Sequence, residues 1–504
     1  MPHCWALFFS LKTLEDFLKM HGGISNHFLS GLPKNQTITE QRFMQSGIQP
    51  LSSSYRDPSG FMFEKDGSLY RQINKIFKED YDHFISSGCY DHFVKNRMLV
   101  SHQEINENFT GSTDWYKTIK PEKIDFISYP WEWSFEMIQD AALLTLNLAK
   151  QAMQFGMMLK DATPFNIQWK NGQPVFIDTL SFEKYDPTKP WIAYRQFCEN
   201  FVSPLVLMHY RNQPLQTMLL AYPEGIPLTI TRSLLPWTSF FFFYTYLHVH
   251  LHSKWTTKKI ANTPVTQTQF SEKKMNQLLE SLTALVQKKR WKDKPTTWNE
   301  YYEEAGQRKN YLQSKKEIIR GWLNEVKFSS AIDVGVNTGE FSFLLSEKNV
   351  PLLAVDFDHS SINRLYQKVK NQKKNILPLV IDIANPSPSI GVNNQERPSF
   401  LRRSKVDLAL ALAVIHHVAI GKNIPFKNIA EMFAGMSKTL IIEFVPKEDE
   451  KIQQMLAQKK DIYCQYNAEN FETSFQQYFR ILKKEAIEDS GRELYLMLRN
   501  EQAI

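Results

Sequence analysis

The chain has 504 residues, with 60 Lys and Arg against 53 Asp and Glu for a net charge of +7, and it is 42% apolar and 22% charged. At roughly 150 residues per domain this length predicts two or three domains with cores of their own, and the composition excludes intrinsic disorder, a collagen-like repeat and a chain-long coiled coil. The positive excess is small and is not concentrated in either half, so a nucleic-acid partner is not expected.

Residues 1–53 are weakly patterned and end in a serine run, which predicts a loosely attached extension. An apolar patch from Cys4 to Leu11 has no basic residue before it and no small-residue cleavage site after it, so no signal peptide is expected. The four cysteines lie far apart without a C-x-x-C pair, which predicts a reducing, cytoplasmic setting and neither a disulfide framework nor a cysteine zinc site. Residues 54–253 then mix strand-like and helical segments, the pattern of an α+β domain. Within them FMFEKDGSLYRQI breaks at Asp66-Gly67 and predicts a hairpin. Between positions 131 and 158, Ala141, Leu144, Leu148, Ala152 and Phe155 recur at three- and four-residue intervals and predict a long helix with one buried stripe.

Beyond that helix come Asp161, then Asn166 five residues on, then Asp178 at the end of the apolar run VFID. Taken singly these are turn formers and a cap. Their order resembles the catalytic loop and metal-binding Asp of protein kinases and aminoglycoside phosphotransferases. The resemblance implies that Asp161 orients an acceptor hydroxyl while Asn166 and Asp178 hold magnesium. It departs at Leu159-Lys160 and at Thr179-Leu180, and no phosphate-gripping Lys paired with a helix Glu is identified. What it implies is therefore a degenerate, kinase-like or substrate-binding lobe.

The segment LLPWTSFFFFYTYLHVHL at 234–251 has nominal membrane-spanning length but contains Pro236, Thr238, Ser239, Thr245, His248 and His250. Those polar groups predict a buried aromatic helix in place of a span, and no transmembrane segment is expected. His248, His250 and His252 alternate without a nearby carboxylate or thiol, so no metal site is expected. Residues 254–297, basic and partly Thr-rich, read as a solvated linker and helix between two domains.

From residue 298 onward, helical segments alternate with the short apolar runs SSAIDVG, PLLAVDFD, ILPLVIDIA, VDLALALA and TLIIEF. Alternation of this kind predicts an α/β domain with a parallel sheet covered by helices on both faces. The first run ends in Asp333 and the turn Gly335-Val336-Asn337-Thr338-Gly339, in a chain with only 19 glycines. Gly335 permits a tight turn and Gly339 permits close packing at the start of the next helix. Asp356 ends the second run, roughly 20 residues past the turn, where a carboxylate can accept both hydroxyls of a ribose. Asp382 ends the third run, placed for an adenine amino group.

These runs, in particular AIDVGVNTGEF, LLAVDFD, LVIDIA and VDLALALAVIHH, resemble the successive motifs of class I S-adenosylmethionine-dependent methyltransferases over about residues 295–500. The resemblance implies a Rossmann-like sheet of seven strands whose last strand is antiparallel, with RILKKEAIED and RELYLMLRN as the terminal hairpin. It also implies S-adenosylmethionine as cofactor, with Asp333, Gly335, Asn337 and Gly339 bordering its methionine end, Asp356 its ribose and Asp382 its adenine. Asn337 stands where that family places a middle glycine, and Asn tolerates a left-handed backbone. The whole two-part layout, with LKDATPFNIQW and FIDTLSFEKYDPTKPWIAYRQFC, resembles a group of bacterial methyltransferases, some of them nodulation-related.

Methyl transfer needs in-line placement, and a base where the acceptor carries a proton. His416 and His417, after the fourth run, are candidates for that base, the alternative being packing and capping roles. Glu443 at the end of IIEF, and Arg402 at the end of the proline-containing crossover 385–404, are candidates for contact with the methyl acceptor, whose identity the sequence leaves open.

Overall fold

A computed structural model describes residues 48–253, 271–293, 309–457 and 460–501. The N-terminal apolar patch, most of the extension and the Thr-rich part of the linker lie outside these residues. Contacts group the chain into two compact units, one running through Lys78 and including His102–Pro121, the other formed by Glu79–Ser101 and everything from Glu122 onward. The boundary expected around 254–297 falls inside the second unit.

The first unit is a five-stranded antiparallel sheet in the order β1 (Gln49–Pro50), β2 (Gly60–Lys65), β3 (Ser68–Asn74), β5 (Trp115–Pro121), β4 (His102–Ile105). β2 and β3 form the predicted hairpin. Asp66 and Gly67 both have positive φ, 52° and 70°, as a two-residue turn matching the right-handed strand twist requires.

In the second unit the long helix runs Phe135–Ala152 and buries Met137, Ile138, Ala141, Ala142, Leu148 and Ala149. Against it lies Glu272–Gln287, capped by Ser271 and burying Met275, Leu279, Leu282, Leu285 and Val286. This corrects the solvated reading of the linker, since an amphipathic stripe inside the basic stretch supplied a packing face. Two short antiparallel pairs follow the long helix: β6 (Met157–Leu159) with β9 (Phe182–Lys184), and β7 (Ile167–Lys170) with β8 (Gln173–Phe176).

The aromatic stretch also differs from expectation. It breaks at Phe242 into a short turn, Trp237–Phe241, and a helical run that starts at Phe243 and widens to a π-helix over Tyr246–Leu251, and Phe240 to Phe243 are exposed. Pro236 and the run of aromatic rings prevent one continuous helix from burying all of them. Among the described residues no helix is long and apolar enough to cross a membrane.

The C-terminal part carries a seven-stranded sheet in the order β12 (Ile376–Val380), β11 (Leu352–Asp356), β10 (Ala331–Val334), β13 (Val406–Ala411), β14 (Ser437–Phe444), β16 (Glu493–Arg499), β15 (Phe479–Ala486). β10 to β14 are parallel, and β16 runs antiparallel between β14 and β15. The parallel strands are largely buried, as their nearly continuous apolar runs require when helices cover both faces. This is the Rossmann-like α/β sheet the sequence predicts. Strand order reverses between β10 and β13, which opens a crevice at their carboxyl ends.

The crossover 385–404 is fastened to the segment before the long helix and to Phe165 beyond it. Arg403 pairs with Glu132 and donates to the carbonyl of Ile127 at 2.6 Å, Phe400 meets Phe126 at 6.2 Å, and the Arg397 guanidinium lies 3.5 Å from the centre of the Phe165 ring. Arg402 is left exposed on this strap.

Candidate functional site

The crevice at the reversal point is a cleft of about 1100 Å³, open to solvent and lined from the ends of four adjacent strands. β10 contributes Asp333 to Asn337, β11 Val355 to Phe357, β12 Ile381 to Ala384, and β13 Leu412 to Val414 followed by His417, Val418 and Lys422. Five of the six cofactor candidates, Asp333, Gly335, Asn337, Asp356 and Asp382, therefore line one cavity. Gly339 sits behind it as the N-cap of Glu340–Ser346, with φ 88° and no room for a side chain, since a Cβ there would lie 2.5 Å from Leu365 Cδ1.

The turn after β10 is shaped by its backbone. Gly335 has φ 75°, and a Cβ on it would lie 2.4 Å from Val414 Cγ2, so only glycine lets the β10 exit approach the β13 exit this closely. Asn337 adopts φ 47°, the left-handed conformation that its side chain tolerates in place of glycine. Its amide donates to Asp356 Oδ2 at 2.9 Å, while the Asp358 amide donates to Oδ1 at 2.9 Å. The glycine turn and the second-strand carboxylate thus form one hydrogen-bonded unit, which aims Asp356 without exhausting its lone pairs.

Burial raises the pKa of Asp356 to about 6 despite those amides, and raises that of Asp333 to about 7 despite a 2.6 Å hydrogen bond from the Ser342 hydroxyl. Asp382, nearer the rim, accepts from the Ala384 amide at 2.9 Å and pairs with Lys422 at 3.3 Å. Carboxylates at the ends of three neighbouring strands, set among Val336, Phe357, Ile383, Leu412 and Val418, suit a ligand with hydroxyl or amino donors and a flat apolar ring. A nucleoside has that chemistry.

His417 lines the cleft, whereas His416 is fully buried behind it. Burial, reinforced by Arg492, pushes His417 down to about 4 and so keeps it neutral near pH 7. Neither ring nitrogen of His416 has a hydrogen-bond partner among the described residues. Glu443 is also fully buried and does not line the cleft. It pairs with Lys315 at 2.5 Å and Arg492 at 3.2 Å and accepts the Tyr311 hydroxyl at 2.8 Å. Burial opposes its charge, but Lys315 and Arg492 outweigh burial and hold its carboxyl below the ordinary value. Arg402 is likewise outside the cleft lining.

Sequence reasoning missed Tyr311 and Lys315, which come from the helix Lys309–Glu325 ahead of β10, and Lys422 beyond β13. Their spacing carries no signal. Ala413, which lines the cleft with φ 53°, was legible only as the residue after an apolar strand.

Outside the cleft, Asp161, Asn166 and Asp178 meet in one polar cluster. Asn166 donates to Asp161 Oδ2 at 3.1 Å and to the Ser181 hydroxyl at 3.0 Å, and Ser181 donates to Asp178 at 2.7 Å. Burial and the neighbouring charge of Asp178 raise Asp161. His248 is hydrogen-bonded to Tyr194 and Ser281, and His250 to Ser239. Among the described residues no group of three or more His, Cys, Asp or Glu is placed to hold a metal ion.

No protein-family profile matches the chain. Among solved structures, the bifunctional kinase-methyltransferase WbdD is similar at 19% identity over 38% of this chain and 39% of its own, with a TM-score of 0.25. The N-methyltransferase NodS from Bradyrhizobium japonicum WM9 is similar at 15% identity over 39% of this chain and 97% of its own, with a TM-score of 0.29. Among curated proteins, nodulation protein NoeA of Rhizobium meliloti (strain 1021) is 30% identical over 465 residues, covering 90% of this chain and 96% of that protein. With that identity along nearly the full length of both chains, this protein belongs to the NoeA family of nodulation proteins.

Proposed function

We propose that the C-terminal part binds S-adenosylmethionine and transfers its methyl group to an acceptor still to be identified. The observation that carries this reading is the convergence of Asp333, the Gly335–Asn337 turn, Asp356 and Asp382 on one cleft at the strand-order reversal of a seven-stranded sheet whose last strand is antiparallel. Bound S-adenosylmethionine supplies an electrophilic methyl group on a sulfonium. Asp356 receives the ribose hydroxyls, Asp382 the adenine amino group, and Asp333 with the glycine turn borders the methionine end. His417, neutral and facing the cleft, is the histidine placed to take a proton from an acidic acceptor, while His416 supports it from behind through ring contact at 3.9 Å.

Calorimetry with S-adenosylmethionine and S-adenosylhomocysteine tests the binding. Asp356→Ala is expected to weaken it by about 2 kcal/mol or more, through loss of a charged acceptor for two hydroxyls. Unchanged affinity in a folded variant overturns the placement. Transfer of labelled methyl to cell extract, fractionated into small molecules, glycans, proteins and RNA, separates an enzyme from a cofactor sensor and identifies the acceptor class.

A second, bifunctional reading draws on the meeting of Asp161, Asn166 and Asp178. Their hydrogen bonds are directed inward, to Gln196, Leu180 and Ser181, so millimolar magnesium-ATP is expected to leave the melting temperature unchanged. A magnesium-dependent shift that disappears in folded Asp178→Asn would establish a phosphoryl-transfer lobe.

A further inference from the structure

We propose that the aromatic stretch around Trp237 and Phe241 docks this protein onto an anionic lipid surface. Trp237, Phe241 and Phe243 are 72%, 76% and 69% exposed, within seven residues of one another. Exposed apolar residues such as Ile76 and Ile192 are scattered singly on the remaining described surface, as on any protein, but a cluster of large rings marks a contact surface.

The rings are held outward by a built support. Phe240 stacks on buried His250 at 3.8 Å, and His250 is bonded to the Ser239 hydroxyl at 2.8 Å. Phe242 rests on Tyr210 at 5.7 Å, and Trp237 meets Phe241 edge-on at 5.5 Å. Phe240 and Phe242 are thus held against the protein along part of each ring, 41% and 54% exposed, while Phe241 and Phe243 project farther into solvent.

The charges around the patch select the partner. No Asp or Glu occurs between Glu224 and Glu272. Lys288, exposed, lies 4.8 Å from the Tyr244 ring, and Lys289 reaches Phe242 and Tyr210. Exposed Arg290 follows it and bonds through its amide to His209, while exposed Arg211 is tied to the Leu234 carbonyl at 2.6 Å. The acid next along, Asp293, is paired with Arg364 at 3.8 Å. Trp and Phe that enter the headgroup boundary, bordered by Lys and Arg that meet lipid phosphates, are the chemistry of surface attachment, and it needs no spanning helix.

The test uses the full chain, pelleted with vesicles of phosphatidylcholine alone or with phosphatidylglycerol added. Binding is expected to be at least ~10-fold stronger with phosphatidylglycerol and to weaken with salt. The triple variant Trp237→Ser, Phe241→Ser, Phe243→Ser and the charge variant Lys288→Glu, Arg290→Glu are each expected to lose most of it. Wild-type protein that stays in the supernatant overturns the proposal, as does equal pelleting of the charge variant. Should the triple variant lose the wild-type circular dichroism, the charge variant decides alone. A triple variant that pellets like wild type overturns the proposal, and if wild type sediments as a dimer and this variant as a monomer, the face belongs to a second copy of this chain.

Discussion

The Nε2 atom of His359 accepts the backbone amide of Phe135 at 3.0 Å, joining the first residues of two helices 224 positions apart in the chain. The next amide, that of Glu136, is taken by the Asn363 side chain at 3.0 Å. Ser134 occupies the N-cap position of the long helix but makes no side-chain cap, so two of the free amides at that end are satisfied by the helix His359–Gln372. Tyr366 and Lys370 extend the same seam, both reaching Asp140 at 2.6 Å.

His359→Ala should therefore cost about 1–3 kcal/mol at pH 7.5, because a buried amide loses its acceptor. Burial pushes His359 from its ordinary 6.5 down to about 3. Between those values the unfolded chain binds a proton that the folded one refuses, so this stabilisation is complete above pH 6.5 and is lost as pH falls toward 3. Urea unfolding at pH 7.5 and 5 should show wild type losing more stability on acidification than His359→Ala, and equal losses would contradict the neutral, accepting imidazole.

Asp333 has the opposite sign. Its pKa rises from an ordinary 3.8 to about 7 in the folded, cofactor-free protein, so the folded state keeps a proton that the unfolded state has released. Its contribution is full below about pH 4 and disappears as pH rises through 7. Asp333→Asn, which keeps the shape without the ionisation, should flatten the decline in melting temperature between pH 5 and 8 relative to wild type.

Gly335→Ala combines a left-handed backbone with a Cβ 2.4 Å from Val414 Cγ2. A loss of about 1–3 kcal/mol in stability is expected, together with weakened S-adenosylmethionine binding by calorimetry. Val414→Ala in the same chain should relieve the collision but not the backbone strain, so rescue should be partial. Full rescue would show that φ at this position costs little.

Glu443 was a candidate for contact with the acceptor, and its position behind the cleft gives it a different expected signature. Glu443→Ala leaves Lys315 buried without its anion, while Arg492 keeps its pair with Asp449 at 2.8 Å, and should destabilise the protein by about 3–5 kcal/mol. Lys315→Met added to it removes the stranded charge and should recover part of that loss in denaturant unfolding. Absence of any stability loss would place Glu443 at a solvated, ligand-facing position instead.

The sheet and the cofactor candidates were legible in sequence because they depend on local regularities. Buried parallel strands are short apolar runs, and a carboxylate that ends such a run emerges at the carboxyl edge of the sheet. That is why Asp333, Asp356 and Asp382 were found together, along with the hairpin turn at Asp66-Gly67. Tertiary structure alone decided what distant side chains do to one another. His416 and His417 are adjacent in sequence and equally good bases on paper, but the turn after β13 buries one and sets the other in the cleft. Arg402 and Arg403 differ in the same way, since Arg403 is drawn to Glu132 across 271 positions and Arg402 is left in solvent. Hydrophobic periodicity states which residues leave water, but a charge or hydrogen-bond donor takes its role from the partner the fold brings to it, and that partner has no fixed spacing in the chain.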